Sequence, residues 1–215
     1  MCSSDLITAT APAVVYDKKN PFPSTLKRRV LLNKEGSDKE TLHLELCLAG
    51  SGLEYRPGDS LAIIPANSPQ AVGQVLEAGG FDAGETVELK GGETKPLGEV
   101  FATDLNITGI TKNVLKKYNA FAQSEKLESL LDPDNKAALD DYLGGREVID
   151  MIADFPVPGL AASDFCGTLR KQLPRLYPIA PSLRAHPAEV PLTIALVPYH
   201  TALICTPLHS SHVVI

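Results

Sequence analysis

The sequence predicts an α+β fold in which an antiparallel β-barrel carries a large helical insertion. Strand-like segments come first with no helix between them, a mostly helical block follows, and strand-like segments return near the C-terminus. Consecutive strands without intervening helices favour a barrel or sandwich over a doubly wound sheet. With 215 residues, the chain is long enough to bury the core of such a domain.

The first strands are marked by their alternation. Residues 40–48 (ETLHLELCL) alternate leucine with other residues, the period-two pattern of a half-buried strand. Residues 25–32 predict a preceding strand, and the polar residues 33–38 between them predict a turn, so we expect an antiparallel pair. The turn Pro57-Gly58-Asp59 leads into a short buried strand at 60–65.

The hydrophobic period changes after residue 65. Ser68-Pro69 combines a capping residue with a helix-compatible proline, and a helical apolar pattern follows. We expect a brief strand at 85–89, mostly helix from 111 to 173, and strands again at 175–180 and 190–199. The predicted organisation is a loose leader at 1–19, a barrel at 20–201 with its insertion at about 66–173, and an atypical tail at 202–215.

Composition excludes several function classes. The formal net charge of -6 argues against nucleic-acid partners, and no segment approaches the roughly 18 apolar residues of a membrane span. The four scattered cysteines suit a reducing cytoplasm and give no sign of a metal site. The chain has no G-x-G-x-x-G, Walker or G-x-S-x-G motif and no evident acid–base constellation, so we assign no catalytic residue.

The segment with chemical character is Arg175-Leu176-Tyr177. In a strand, Arg175 and Tyr177 lie on one face, about 7 Å apart along the chain. A guanidinium provides a planar fork for phosphate oxygens, and a phenol ring can lie against a flat heterocycle. One strand face could thus hold both ends of a flavin dinucleotide, although Arg-x-Tyr also occurs in strands as a surface arginine beside a half-buried tyrosine.

The sequence around this segment resembles the FAD-binding module of the diflavin and ferredoxin-reductase-like family, most closely its NADPH–sulfite reductase flavoprotein (alpha subunit) branch. The resemblance covers about residues 20–201. The segments that carry it are NPFPSTL, LLNKEGSDKET, YRPGDSLAIIPANSP, YLGGREVID, PRLYPIAPSLRAHPAEV and LTIALVPYHT.

The resemblance implies FAD contacts at nine positions: Thr108, Arg175, Leu176, Tyr177, Pro178, Thr193, Ile194, Ala195 and Tyr199. It implies that Arg175 binds the pyrophosphate, that Tyr177 covers the isoalloxazine ring, and that their two neighbours contribute backbone contacts. The residues at 193–195 would lie beside the flavin and Tyr199 toward the nucleotide. For residues 193–195 a plain strand core, and for Thr108 a helix N-cap, remain alternatives.

The chain departs from the family pattern at several prolines. Pro178 replaces the signature serine whose hydroxyl and N–H lie near flavin N5 in the family, and proline has neither donor. Pro181 replaces the second serine. Pro191 and Pro198 stand where relatives usually have histidine and arginine, so we expect imperfect strand pairing there. The tail ALICTPLHSSHVVI lacks the family's G-V-C-S-type turn, which suggests a damaged or misread 3′ coding region.

The function implied by the resemblance is electron transfer from NADPH through FAD to a redox partner, such as the sulfite reductase hemoprotein. We expect the chain to be truncated before an NADPH-binding domain and inactive alone, with any FMN carried on another chain. Two alternatives stay open: a non-catalytic module that binds flavin or docks a partner, and a non-functional fragment with an exposed edge strand.

Overall fold

The computed structural model describes residues 15–17, 20–89, 91–196 and 212–214. Its strands are β1 Pro23–Leu31, β2 Glu40–Cys47, β3 Ser60–Pro65, β4 Thr86–Glu88, β5 Thr94–Pro96, β6 Leu105–Asn106, β7 Arg170–Lys171, β8 Arg175–Pro178, β9 Glu189–Leu196 and β10 His212–Val214. Its α-helices are α1 Pro69–Gly79, α2 Leu97–Glu99, α3 Lys112–Ala122, α4 Glu125–Leu131, α5 Lys136–Gly145, α6 Val148–Asp154 and α7 Ala162–Thr168. A π-helical turn covers Val100–Asp104, and a 3₁₀ turn covers Pro133–Asn135. The predicted mixture of strands and helices is confirmed.

Within the described part of the chain, six strands form one sheet in the order β8-β3-β10-β1-β2-β9. The predicted antiparallel pairing of β1 with β2 is confirmed. The short strand β10 lies between β1 and β3, so this part of the predicted atypical tail belongs to the sheet. The edge strands β8 and β9 approach within 8 Å between Cα atoms, so the sheet curls toward itself.

One face of the sheet carries a continuous apolar cluster, here called the sheet core. Its buried members are Leu42, Leu44, Leu46, Leu48, Tyr55, Ile63, Ile179, Val190, Leu192 and Ile194. The alternating leucines of β2 supply one row, as the sequence predicts. The cluster also includes residues next to or within both edge strands, which is consistent with the curled sheet.

The helical insertion begins with a capped helix. The Ser68 hydroxyl accepts a hydrogen bond from the N–H of Ala71 at 3.1 Å, and Pro69 occupies the first turn, where its missing N–H costs nothing. The helix α1 ends at Gly80, which adopts a left-handed φ of 66°. The start of the helix agrees with the sequence prediction.

The insertion has a second apolar cluster, the insertion core, separate from the sheet core. The aromatic rings of Phe81, Phe101, Tyr118 and Phe165 pack together in this cluster. Phe165 lies 5.0 Å from Phe81 and 6.3 Å from Tyr118, measured between ring centroids. The insertion is therefore stabilised largely by its own apolar packing.

Among the described helices, none is long and apolar enough to cross a membrane.

Two local predictions are wrong. The helical structure expected to continue to residue 173 ends at Thr168, because Arg170–Lys171 pairs with β6 instead. The imperfect pairing expected at Pro191 is absent from the described register, in which β9 pairs with β2 over eight residues. The N–H of Leu48 donates to the carbonyl of Ala188 at 2.9 Å. Since antiparallel pairs alternate, the nitrogen of Pro191 faces away from β2, and no ladder hydrogen bond is lost.

Candidate cofactor site

The strand β8 places Arg175 and Tyr177 on one face. In its antiparallel register with β3, Arg175 lies opposite Ile63 and Tyr177 opposite Leu61. Tyr177 is half-buried and packs against the sheet core, whereas Arg175 is exposed. Leu176 lies on the opposite face, and its side chain is 69% exposed. The arginine and the phenol ring are therefore adjacent, as the sequence predicts, but the ring already has partners in the core.

The outward edge of β8 has an unusual pattern of backbone donors. The N–H of Ile179 donates to the carbonyl of Asp59 at 2.8 Å, which fixes the alternation of the β3–β8 ladder. By that alternation, Leu176 and Pro178 direct their backbone groups away from β3. Leu176 supplies an N–H, whereas Pro178 supplies only a carbonyl oxygen. A ligand along this edge would thus meet one donor where the family signature provides two.

The environment of Arg175 suits a phosphate. Among the described residues, no carboxylate lies within 4.0 Å of its guanidinium. Its donors are therefore not engaged by an acidic partner in that part of the chain. A planar guanidinium binds phosphate oxygens in a bidentate manner. The residue fits the pyrophosphate end of FAD.

The strand β9 divides its predicted contact residues between two faces. Thr193 and Ala195 are exposed on the outer face, while Ile194 is 5% exposed within the sheet core. The alternative of a plain strand core therefore holds for the Ile194 side chain. By the alternation of the β2–β9 ladder, the backbone N–H and carbonyl of Ile194 face Leu42 of β2, whereas those of Thr193 and Ala195 face away from β2.

A charged cluster lies beside Thr193. His43 is directly opposite Thr193 in the β2–β9 register, and its Nε2 lies 3.1 Å from Glu45 Oε1. The same carboxylate oxygen accepts from Arg28 Nη1 at 3.2 Å. The hydrogen bond with His43, together with Arg28, lowers the pKa of Glu45. The outer face of β9 thus borders an ionised surface.

Thr108 lies in a bend between β6 and α3 and is half-buried. The alternative that it caps the helix is wrong, because the cap is Thr111, whose hydroxyl accepts from Val114 N at 3.4 Å. Tyr199, the remaining predicted contact, lies outside the described residues.

The structure does not gather the predicted contacts into one cavity. Arg175 and Tyr177 share the face of the sheet core, whereas Thr193 and Ala195 lie on the outer face. Two cavities formed by described residues, of about 370 and 550 Å³, both lie in the insertion. Neither is lined by a predicted flavin residue. The candidate site is an exposed strand edge rather than a pocket.

Sequence reasoning missed the polar residues around these positions. The alternation along β2 predicts that His43 lies on the outer face of the sheet. It does not predict that β9 pairs with β2 and brings Thr193 opposite His43. The amides of Asn67, Asn106 and Gln172 meet between the sheet and the insertion. They are far apart in sequence and form no motif, so no sequence pattern signals them.

Comparison with known proteins agrees with the resemblance. Residues 15–210 match the family described as FAD binding domain. The sulfite reductase [NADPH] flavoprotein alpha-component of Bacillus subtilis is 40% identical over 86% of this chain and 31% of its own length. The protein of the same name from Serratia proteamaculans is 35% identical over 86% of this chain and 30% of its own length. This chain therefore spans about a third of these relatives and belongs to the FAD-binding-domain family.

Proposed function

We propose that this chain is the FAD-holding part of a flavoprotein reductase that passes electrons from NADPH through FAD to a redox partner. The observation that carries the proposal is the continuous family match over residues 15–210. The adjacent Arg175 and Tyr177 on one face of β8 support it. Bound FAD would supply the hydride and electron chemistry, while the protein would set its position and potential.

The electron source and the redox partner are proposed from the relatives, which are about three times as long as this chain. These relatives are named as NADPH-dependent sulfite reductase flavoproteins. By likeness to them, we propose NADPH as the electron source and a sulfite reductase hemoprotein, or another acceptor, as the partner. We also propose that the sheet curls into an antiparallel barrel, in which the edge strands β8 and β9 approach within 8 Å while their outward edges stay unpaired in the described part of the chain. The free thiols of Cys47 and Cys166 support a reducing cytoplasmic location.

Each residue of β8 has a distinct part in this proposal. Arg175 would bind the pyrophosphate, because it is exposed and lies beyond 4.0 Å of every described carboxylate. The outward N–H of Leu176 would donate to the flavin. The ring of Tyr177 would have to exchange part of its packing against the sheet core for packing against the isoalloxazine ring.

One observation favours a second function, a non-catalytic module that binds flavin or docks a partner. Pro178 removes a donor from the outward edge of β8, the edge at which the family signature places a serine. A bound flavin would then have fewer hydrogen bonds with which to adjust its potential.

The test is a titration of the purified chain with FAD, monitored by the quenching of flavin fluorescence. The visible flavin absorbance of the purified protein is a second readout. Arg175→Ala should weaken binding by about tenfold to a hundredfold, because a hydrogen bond to a charged group contributes about 1.5–3 kcal/mol. Arg29→Ala, which removes an exposed arginine from β1, is the matched control and should leave binding unchanged.

The Tyr177 variant must preserve packing against the sheet core. Tyr177→Leu keeps an apolar side chain there and removes the planar ring, so it should weaken FAD binding without unfolding the protein. Wild-type protein that stays colourless with added FAD would contradict the proposed function and favour a non-functional fragment. Reduction of ferricyanide by NADPH distinguishes a complete reductase from a module that only binds flavin.

A further inference from the structure

Three side-chain amides lie where the chain leaves the sheet and where it returns. Asn67 follows β3, Asn106 ends β6, and Gln172 precedes β8. Asn106 Nδ2 donates to Gln172 Oε1 at 3.2 Å, and Gln172 Nε2 lies 3.5 Å from Asn67 Oδ1. We call this group the amide bridge. It joins segments that are distant in sequence, since Gln172 follows Asn67 by 105 residues.

The amide bridge is anchored on backbone atoms of both parts of the molecule. On the sheet side, Gln172 Nε2 donates to the carbonyl of Pro65, the last residue of β3, at 3.1 Å. On the insertion side, Asn67 Nδ2 donates to the carbonyls of Phe101 and Leu105 at 2.6 and 2.8 Å. The three amide side chains are half-buried. If a substitution removed one of their donors, water would therefore only partly replace the lost hydrogen bond to the backbone carbonyl.

The bridge also fixes the turn that contains Thr108. The N–H of Gly109 donates to Asn106 Oδ1 at 2.8 Å, so the Asn106 side chain closes the turn around Thr108. Arg170 Nη2 donates to the carbonyl of Gly109 at 3.4 Å.

The same bridge leads directly to the predicted flavin strand. Gln172 lies three residues before Arg175, and its carbonyl partner Pro65 lies in β3, which pairs with β8. Asn106 and Gln172 thus form a side-chain hydrogen-bonded connection between the Thr108 turn and the segment that leads into Arg175 and Tyr177, beside the backbone pairing of β6 with β7.

We infer that Asn106 and Gln172 are positioning residues, which hold the Thr108 turn at a fixed distance from Arg175 and Tyr177 so that one FAD molecule reaches both. This inference rests on the proposed function. Neither amide would contact the cofactor itself. Each amide restricts the motion of the insertion before FAD binds. Less conformational entropy is then lost when FAD binds across the insertion and the sheet.

Gln172→Glu changes the bridge with almost no change in shape. It retains an oxygen that accepts from Asn106 but replaces the donor to Pro65 with a second oxygen, which faces the Pro65 carbonyl. We expect the dissociation constant for FAD to rise about tenfold. Gln70→Glu makes the same change at an exposed position of α1 and should leave the dissociation constant for FAD unaltered. Asn106→Asp, which keeps the acceptor for Gly109 and loses the donor to Gln172, is a second variant with the same expectation.

A double-mutant cycle separates positioning from a merely structural role. Thr108→Ala should weaken FAD binding about threefold in the wild-type chain and by less than about twofold with Gln172→Glu, because the turn is then no longer held in place. The effects of the two substitutions on the thermal unfolding midpoint of the apo protein should instead be additive. A structural role alone predicts additive effects on FAD binding as well.

Each outcome decides between the two ideas. If the wild-type chain binds FAD and Gln172→Glu and Asn106→Asp bind it equally well, or if the cycle is additive for FAD binding, the positioning role is refuted and the proposed function stands. If the wild-type chain does not bind FAD, the proposed function fails and the inference fails with it. Weaker binding with a non-additive cycle supports both.

Discussion

Replacing Pro178 with serine should raise the affinity for FAD without disturbing the sheet. The register puts Pro178 opposite Ser60, next to the hydrogen-bonded pair of Ile179 and Asp59. The nitrogen of Pro178 therefore faces outward. A serine there would restore an outward N–H and a hydroxyl, and every hydrogen bond between β8 and β3 would remain.

The expected magnitudes follow from that geometry. One restored neutral hydrogen bond contributes about 0.5–1.5 kcal/mol, which corresponds to about a twofold to twelvefold tighter dissociation constant for FAD. The free energy of unfolding should fall by about 0.4–1 kcal/mol, because serine leaves the unfolded chain more conformational freedom than proline does. Affinity and stability should thus change in opposite directions.

Fluorescence titration with FAD and urea denaturation measure these two quantities. Pro178→Ala restores the N–H alone and should give the smaller gain, which separates the backbone donor from the hydroxyl. Pro187→Ser, in an exposed part of the loop before β9, should reduce stability similarly and leave affinity unchanged. A gain in stability would show that the nitrogen faces β3, because serine would then add a ladder hydrogen bond. Unchanged affinity would show that the outward edge does not contact the flavin; either result would refute the reasoning.

Two further substitutions test the insertion. Tyr118→Phe should lower the free energy of unfolding by about 1–2 kcal/mol in urea denaturation, because the Phe155 carbonyl loses a buried donor at 2.9 Å; no loss would contradict the buried hydrogen bond. Burial raises the pKa of the Cys166 thiol from 9.0 to about 11, so the unfolded thiol ionises first and stability should fall as pH rises between those values. Cys166→Ala should reduce this loss when the urea midpoint is followed against pH, and an unaltered pH profile would argue against it.

The elements set by local pattern could be predicted from the sequence. The leucine alternation of β2 and the Ser68-Pro69 start of α1 each depend on residues that are close in sequence. The same reasoning predicts that Arg175 and Tyr177 share a face, because alternation along a strand requires it. Local chemistry was sufficient in each of these examples.

Features that depend on distant partners could not be predicted in this way. The end of α7 at Thr168 results from the pairing of Arg170–Lys171 with β6, a strand more than sixty residues earlier. The tolerance of Pro191 depends on which of its backbone groups face β2, and the sequence does not reveal that alternation. The separation of the β8 and β9 contacts onto different faces likewise follows from their strand partners.

The prolines show why the fold and the cofactor site depend on different backbone groups. Pro178 and Pro191 both stand in edge strands with their nitrogens directed away from the neighbouring strand. The sheet therefore loses no hydrogen bond to either residue, while a ligand at the outer edge of β8 loses a donor. Because of this separation, a chain of this kind could remain stably folded while its affinity for FAD declined. Stability measurements alone would not detect that decline, so cofactor binding has to be measured directly.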